Sequence, residues 1–164
     1  MDTHSTSVAL LKCSDYRIPE IAQKIDQLCQ AVGFKVSNGT RVVLKPNRLS
    51  GRSSGHLACT HPAFVAAAAE WFVAQGAKVA IGDSPAFGTA KGVMHVTGIE
   101  KAITGLPVAR INFDQITQVR LSEKLTVNLA RAALECDMLI NLPRVKAHSQ
   151  LYMTLAVKNY FGTV

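Results

Sequence analysis

Three stretches of the chain set polar, charge-bearing residues directly behind short apolar runs. Val42-Val43-Leu44 is followed by Lys45-Pro46-Asn47, and Val79-Ala80-Ile81 by Gly82-Asp83-Ser84-Pro85. Leu139-Ile140 is followed by Asn141-Leu142-Pro143, with Lys146 and His148 just beyond, and Lys158-Asn159 comes later. These residue types offer anion recognition and proton movement. Lys45, Lys146 and Lys158 supply point positive charge. Asn47, Asn141 and Asn159 carry both donors and acceptors, so they orient a ligand without adding charge. Thr60 and His61 stand where a helix is expected to start, and free backbone N–H groups there favour phosphate or carboxylate. Asp83, the carboxylate among the strand ends, stays ionised near cations and suits a base, a metal ligand or a lysine partner. His148 suits proton exchange near neutral pH. The expected roles are therefore catalytic for Asp83, Lys146 and His148. Lys45, Asn47, Thr60, His61, Ser84, Asn141, Lys158 and Asn159 are expected to bind the ligand.

Each strand end also has a plainer explanation. Pro46, Pro85 and Pro143 stop strands, and Asn and Asp are ordinary turn residues. What favours a site is that three separate strands end in this way. Taken alone, His61 fits packing at a helix start better than ligand binding. A metal set of His61, Asp83 and His148 has suitable donors but long separations and no close-spaced pair, so no metal ligand is assigned. No G-x-G-x-x-G, Walker or G-x-S-x-G pattern occurs, which argues against a standard dinucleotide, P-loop or nucleophile-elbow site.

For these residues to meet, the strands must lie side by side and run the same way. Residues 8–11 read as a first strand. Ile18, Ile21, Ile25, Leu28, Cys29 and Val32 have helical spacing, with Pro19 in the first turn and Gly33 as the stop. The run 42–44 is a strand, followed by a Ser- and Gly-rich loop over 47–59. Thr60 is the expected N-cap of a helix with Pro62 in its first turn and Gly76 at its end. Residues 78–81 form a strand, and helical pieces lie near 93–96 and 99–103. A strand spans 107–111, an ambiguous stretch 119–125 fits a small hairpin, and there follow a helix 129–135, a strand 138–142 and a helix start 154–160. Short, uniformly apolar strands alternating with helices argue a three-layer α/β fold: a mostly parallel sheet with helices on both faces. Ligands of such sheets bind outside the carboxyl ends of the strands.

The 164 residues suit one domain, read as residues 1–164. The formal charge of +7 favours an anionic partner. Nucleic acid is not the expected one, because the cations form no long run and no aromatics interleave with them. Four cysteines without a C-x-x-C pair write no zinc or iron–sulphur motif and point to a reducing cytoplasm. No segment reaches the ~18 apolar residues of a membrane span, and the N-terminus lacks a signal-peptide pattern, so no membrane partner is expected.

The stretches "VVLKPNRLSG", "CTHPAFVAAAAEWFVAQGAKVAIGDSPAFG" and "CDMLINLPRVKAHSQLYMTLAVKNYFG" resemble, in order and spacing, the family known as domain of unknown function 362. Its members are often labelled uncharacterised iron–sulphur-centre proteins. Its pattern falls here on Lys45-Pro46-Asn47, Thr60-His61-Pro62, Gly82-Asp83-Ser84-Pro85, Pro143/Lys146/His148 and Lys158-Asn159/Gly162. The resemblance implies a loose link to redox chemistry, since many members carry a ferredoxin-like module with two four-iron, four-sulphur clusters. This chain stops two residues after "KNYFG" and lacks the ferredoxin cysteines. It is therefore expected to be an incomplete domain, the N-terminal portion of the family domain. Iron–sulphur clusters are expected only in the full-length family architecture, with no cofactor in this chain. The function expected is a small-anion-binding enzyme or redox-associated domain. The alternatives are a non-catalytic accessory domain for an iron–sulphur electron-transfer module, or a metal-binding protein. Uncovered sheet edges would favour a homodimer.

Overall fold

Apolar runs without polar alternation can be buried on both faces, and three such runs, at 42–44, 79–81 and 138–140, join a more exposed fourth strand in one parallel sheet. The computed structural model describes residues 6–47, 58–84, 90–148, 150 and 152–164. In chain order the elements are α1 (Ile18–Ala31), β1 (Arg41–Pro46), α2 (Pro62–Ala74), β2 (Lys78–Asp83), α3 (Ala90–Val96), α4 (Ile99–Ala102) and β3 (Val108–Asn112). Then come β4 (Ile116–Ser122), β5 (Leu125–Ala130), α5 (Arg131–Glu135), β6 (Met138–Leu142), β7 (Lys146–His148), β8 (Tyr152–Thr154) and α6 (Ala156–Tyr160). A 3-10 turn spans Phe161–Thr163.

The sheet order is β3-β2-β1-β6, with every neighbouring pair parallel. Leu44 lies between Ile81 and Ile140, and Lys45 lies beside Asn141. The carboxyl ends of β1, β2 and β6 therefore share one edge. Two antiparallel ribbons, β4-β5 and β7-β8, are appended. The second follows the end of β6 directly and stands at that edge.

Successive strand residues point to opposite faces, and the two faces are covered unequally. On one, Val42, Leu44, Val79 and Ile81 pack against Val65, Ala66, Ala68, Ala69 and Phe72 of α2, with Ile99 of α4 and Ile103 just after it. The alanines leave little bulk between helix and sheet, so the helix sits close. Ile18, Ile25 and Cys29 bring α1 onto the same core, and Gly33, at φ 67°, makes the left-handed turn that ends it. On the other face Val43, Ala80, Ile111 and Leu139 meet Phe113, Ala130, Ala132, Ala133 and Cys136, so the covering helix is the short α5. The chain is thus a three-layer α/β fold with one thick and one thin outer layer.

Several local expectations change. Residues 8–11 form no strand: Val8 and Leu10 are exposed, because the segment runs outside the sheet and has no strand to pair with. Leu11, Cys13 and Tyr16 instead line a cavity of about 280 Å³ with Ile21, Ile25, Leu28 and Phe64. The ambiguous stretch 119–125 lies within the β4-β5 hairpin, whose second strand keeps Leu129 and Ala130, so α5 starts at Arg131. Thr154 belongs to β8, and the next helix begins at Ala156. Pro46 ends β1 as its last residue. Pro85 and most of the loop 47–59 lie outside the described residues.

Candidate functional site

Lys45, near the end of β1, is the largest fully buried side chain among the described residues, at 1 % exposure. Its partner stands at the end of the adjacent strand: Lys45 Nζ lies 2.6 Å from Asp83 Oδ1, and the Asp83 side chain is 3 % exposed. Such a pair persists only where further polar contacts complete it. Here α6 supplies them. Asn159 Oδ1 accepts from Lys45 Nζ at 3.4 Å, and Asn159 Nδ2 donates to the Lys45 carbonyl at 3.3 Å and to Asn141 Oδ1 at 2.6 Å. Asn141 Nδ2 donates in turn to the Ala156 carbonyl at 2.9 Å. Gly162 closes the pair from above. A Cβ there would sit 2.7 Å from Asp83 Oδ1 and 2.8 Å from Lys45 Nζ, so no larger residue fits without displacing the pair.

Lys45, Asp83, Asn141 and Asn159 are therefore brought together, as a closed network. Of the three roles open to Asp83, its position is that of lysine partner. Ser84, the next residue, is exposed.

Thr60, Asn47 and His61 make a second group. Thr60 is not the N-cap of α2. His61 is, because Pro62 takes the first helical position. The Thr60 hydroxyl donates to the Leu142 carbonyl at 2.6 Å and accepts from the Asn47 backbone N–H at 2.8 Å, tying the ends of β6 and β1 together. Asn47 Nδ2 donates to the Ala58 carbonyl at 2.7 Å. His61 Nδ1 accepts from the Ala63 N–H, and the His61 carbonyl accepts from Phe64 and Val65. Pro62 has no N–H, so the first turn of α2 keeps no free donor for an anion. The His61 ring stacks on Tyr16 at 3.6 Å. Burial, and then the nearby Arg144 charge, push its pKa down, which favours the neutral ring that accepts from Ala63.

The third group lies on the β7-β8 ribbon. Lys146 pairs with Thr154 and His148 with Tyr152, so all four side chains belong to one face of the ribbon. Lys146 is half-buried. Its pKa is lowered, first by burial and also by the charges of Lys158 and Lys45, against the opposing pull of Cys59 and Asp83. Among the described residues no carboxylate forms an ion pair with Lys146 or Lys158. Lys158 instead lies 4.6 Å from the Phe161 ring centre. His148 Nδ1 accepts from the Gln150 N–H at 3.2 Å.

Sequence reading missed Thr154, whose hydroxyl is buried with no hydrogen-bond partner among the described residues. The available signal was ribbon parity, since Lys146, His148, Tyr152 and Thr154 alternate with Ala147 and Met153. It also gave no role to Arg144, whose Nη1 donates to the Cys59 carbonyl at 3.1 Å and clamps the 58–60 turn onto the β6–β7 link.

Among the described residues no three His, Cys, Asp or Glu side chains gather as a metal site. Cys29 and Cys136 pack on opposite faces of the sheet, Cys13 is exposed and Cys59 is buried near the strand ends. No described helix is long and apolar enough to cross a membrane.

The family model for a domain of unknown function (DUF362) matches residues 42–164, the span that holds β1 through the Gly162 turn. A thylakoid-associated protein of Synechocystis sp. strain PCC 6803 is 36 % identical over 162 residues, covering 96 % of this chain and 50 % of that protein. The chain thus spans about half the length of this curated relative. No solved structure matches it.

Proposed function

The chain belongs to the family described as a domain of unknown function (DUF362), and on that premise we propose that it binds a small anionic molecule at the carboxyl ends of its parallel strands. The observation that carries this reading is Lys146. It is half-buried beside Lys45 and Lys158 and, among the described residues, has no carboxylate in an ion pair. Such an ammonium is short of countercharge, and an anion supplies it. Lys45 contributes at a distance, its own charge answered by Asp83. Asn141 and Asn159 hold the frame, and His148 is the proton exchanger on the same ribbon face. Whether chemistry follows binding rests on His148 in this reading, with Asp83 acting through Lys45.

Titrating the chain with a panel of small anions at matched ionic strength tests this. Binding should occur and should disappear in Lys146→Met while the circular dichroism spectrum is kept. Equal binding by the variant would sink the reading.

A second reading is the accessory domain that docks a redox module. Tyr152, Met153, Val157 and Phe161 are exposed large apolar side chains at the same edge, a surface suited to a protein partner. Co-purification of an iron–sulphur protein that is lost in Phe161→Asp supports it, and a self-associating chain with no such partner counts against it. We propose a cytoplasmic location, where four cysteines that form no disulfide suit a reducing medium. The thylakoid association named for the relative is carried over only as a peripheral contact, and a salt wash of membranes tests it.

A further inference from the structure

The ribbon face adds a ligand class to the anion reading, on which this inference rests. Charges within reach of Lys146 are Lys45, Lys158 and Asp83, together with the Cys59 thiol. Asp83 answers Lys45 through the 2.6 Å ion pair. That leaves Lys146 and Lys158, two positive charges, with no carboxylate of the described residues paired to either. Thr154 stands directly across the ribbon from Lys146, on the same face. The residue is 4 % exposed, and its hydroxyl meets no partner among the described residues. Buried hydroxyls are nearly always bonded, so one left open beside an unpaired ammonium marks a place for an acceptor atom. α6, which carries Lys158, begins two residues after Thr154, so the second cation stands on the segment that leaves the ribbon.

We propose that Lys146, Thr154 and Lys158 form a subsite for a dianionic oxyanion, the phosphoryl group of a small phosphorylated molecule. The two ammonium groups match its charge. The threonine hydroxyl donates to one of its oxygens, which a halide or a purely electrostatic counterion would not require. Asn141 and Asn159 are committed to each other and to the backbone, so they hold α6 in place rather than touch the ligand.

Calorimetric titration of the whole chain with inorganic phosphate, sulphate and acetate at matched ionic strength tests the assignment. Phosphate and sulphate should bind at least roughly ten-fold more tightly than acetate, because charge-assisted bonds to a dianion are the stronger ones. Thr154→Val keeps the shape and removes the donor. It should weaken phosphate binding by about ten-fold, the scale of one hydrogen bond, and leave acetate unchanged. Lys146→Met should abolish binding of all three. Acetate binding as tightly as phosphate, or Thr154→Val binding phosphate like the parent, overturns the phosphoryl assignment while the anion reading survives through Lys146→Met. Loss of effect in Lys146→Met overturns both. A vesicle-sedimentation arm separates the sources of the group: phosphatidic acid capturing the chain while inorganic phosphate does not bind rejects the small-molecule assignment.

Discussion

β1 carries an ion pair at each end, and the two pairs could hardly differ more. At its start Arg41 meets Asp137, 2.8 Å apart, with side chains 60 % and 45 % exposed. Four residues later Lys45 meets Asp83, with both side chains almost wholly withdrawn from water. Both pairs link β1 to chain that enters or belongs to a neighbouring strand. The first has geometry in its favour, since Arg41 also binds Asp137 through Nε and its backbone N–H. Yet water solvates both partners whether or not they pair, so little is lost when they part. The second has no such alternative. Remove either partner and a charge stays in a dry interior. The same bond type is thus optional at one end of a strand and obligatory at the other, and only the obligatory end lies at the candidate site.

This contrast can be broken in several ways. Lys45→Met should destabilise the fold by about 3–5 kcal/mol, the scale for orphaning one member of a buried pair, as read from chemical denaturation. Adding Asp83→Leu to that variant should recover most of the loss, because the stranded carboxylate is then gone. A double variant no more stable than the single one would mean that the pair is not the source. Gly162→Ala comes next. Its Cβ would press on both charged atoms, and overpacking of this kind costs about 1–3 kcal/mol. Thr60→Val strands the Asn47 N–H that its hydroxyl accepts and should cost about 1–3 kcal/mol. Arg41→Gln, at the exposed end, should cost the least of these at neutral pH, read from the same denaturation curve.

The exposed pair has one readable signature, in acid. The Arg41 side-chain hydrogen bond, helped by the Arg41 N–H, lowers the Asp137 pKa from 3.8 to about 2. A depressed carboxylate pKa stabilises the fold above the unfolded value, and that contribution is lost as the pH falls from 3.8 toward about 2. Arg41→Gln should therefore flatten the pH dependence of stability in that window and nowhere else. A parent and variant with the same acid profile would contradict it.

Much of this contrast was present in the sequence, but not the part that decides it. Lys45 and Lys146 look alike there, each a lysine just past an apolar run. What separates them is whether a carboxylate arrives from another strand, and Asp83 reaches Lys45 only through the β1-β2 register. The runs at 8–11 and 42–44 are likewise similar in composition. One finds neighbours on both sides and the other finds none, a fact that lies in long-range pairing rather than local propensity. The parallel sheet and its shared strand-end edge were legible because β1 and β2 carry short apolar runs each followed by a helix, and β6 carries another such run. The cap of α2 was also legible in principle, since Pro62 at the first helical position makes His61 the residue before it. Thr154 was legible only through its alternation with Met153, because its importance depends on which residue faces it across a ribbon of three-residue strands.

Time of synthesis gives the closed network a further meaning. Lys45 belongs to β1, which is made before β2, and it meets its carboxylate when β2 follows. Asn159, which binds both its ammonium and its carbonyl, lies 114 residues further on, and Gly162 comes later still. No early cluster of local contacts can therefore finish this corner of the molecule, because its loop must close over most of the chain. A ribosome-bound intermediate that already has β1, β2 and α2 in place would still hold Lys45 with a wet, incomplete coat. The corner dries only when α6 docks, so the order of folding and the assembly of the candidate site are one event.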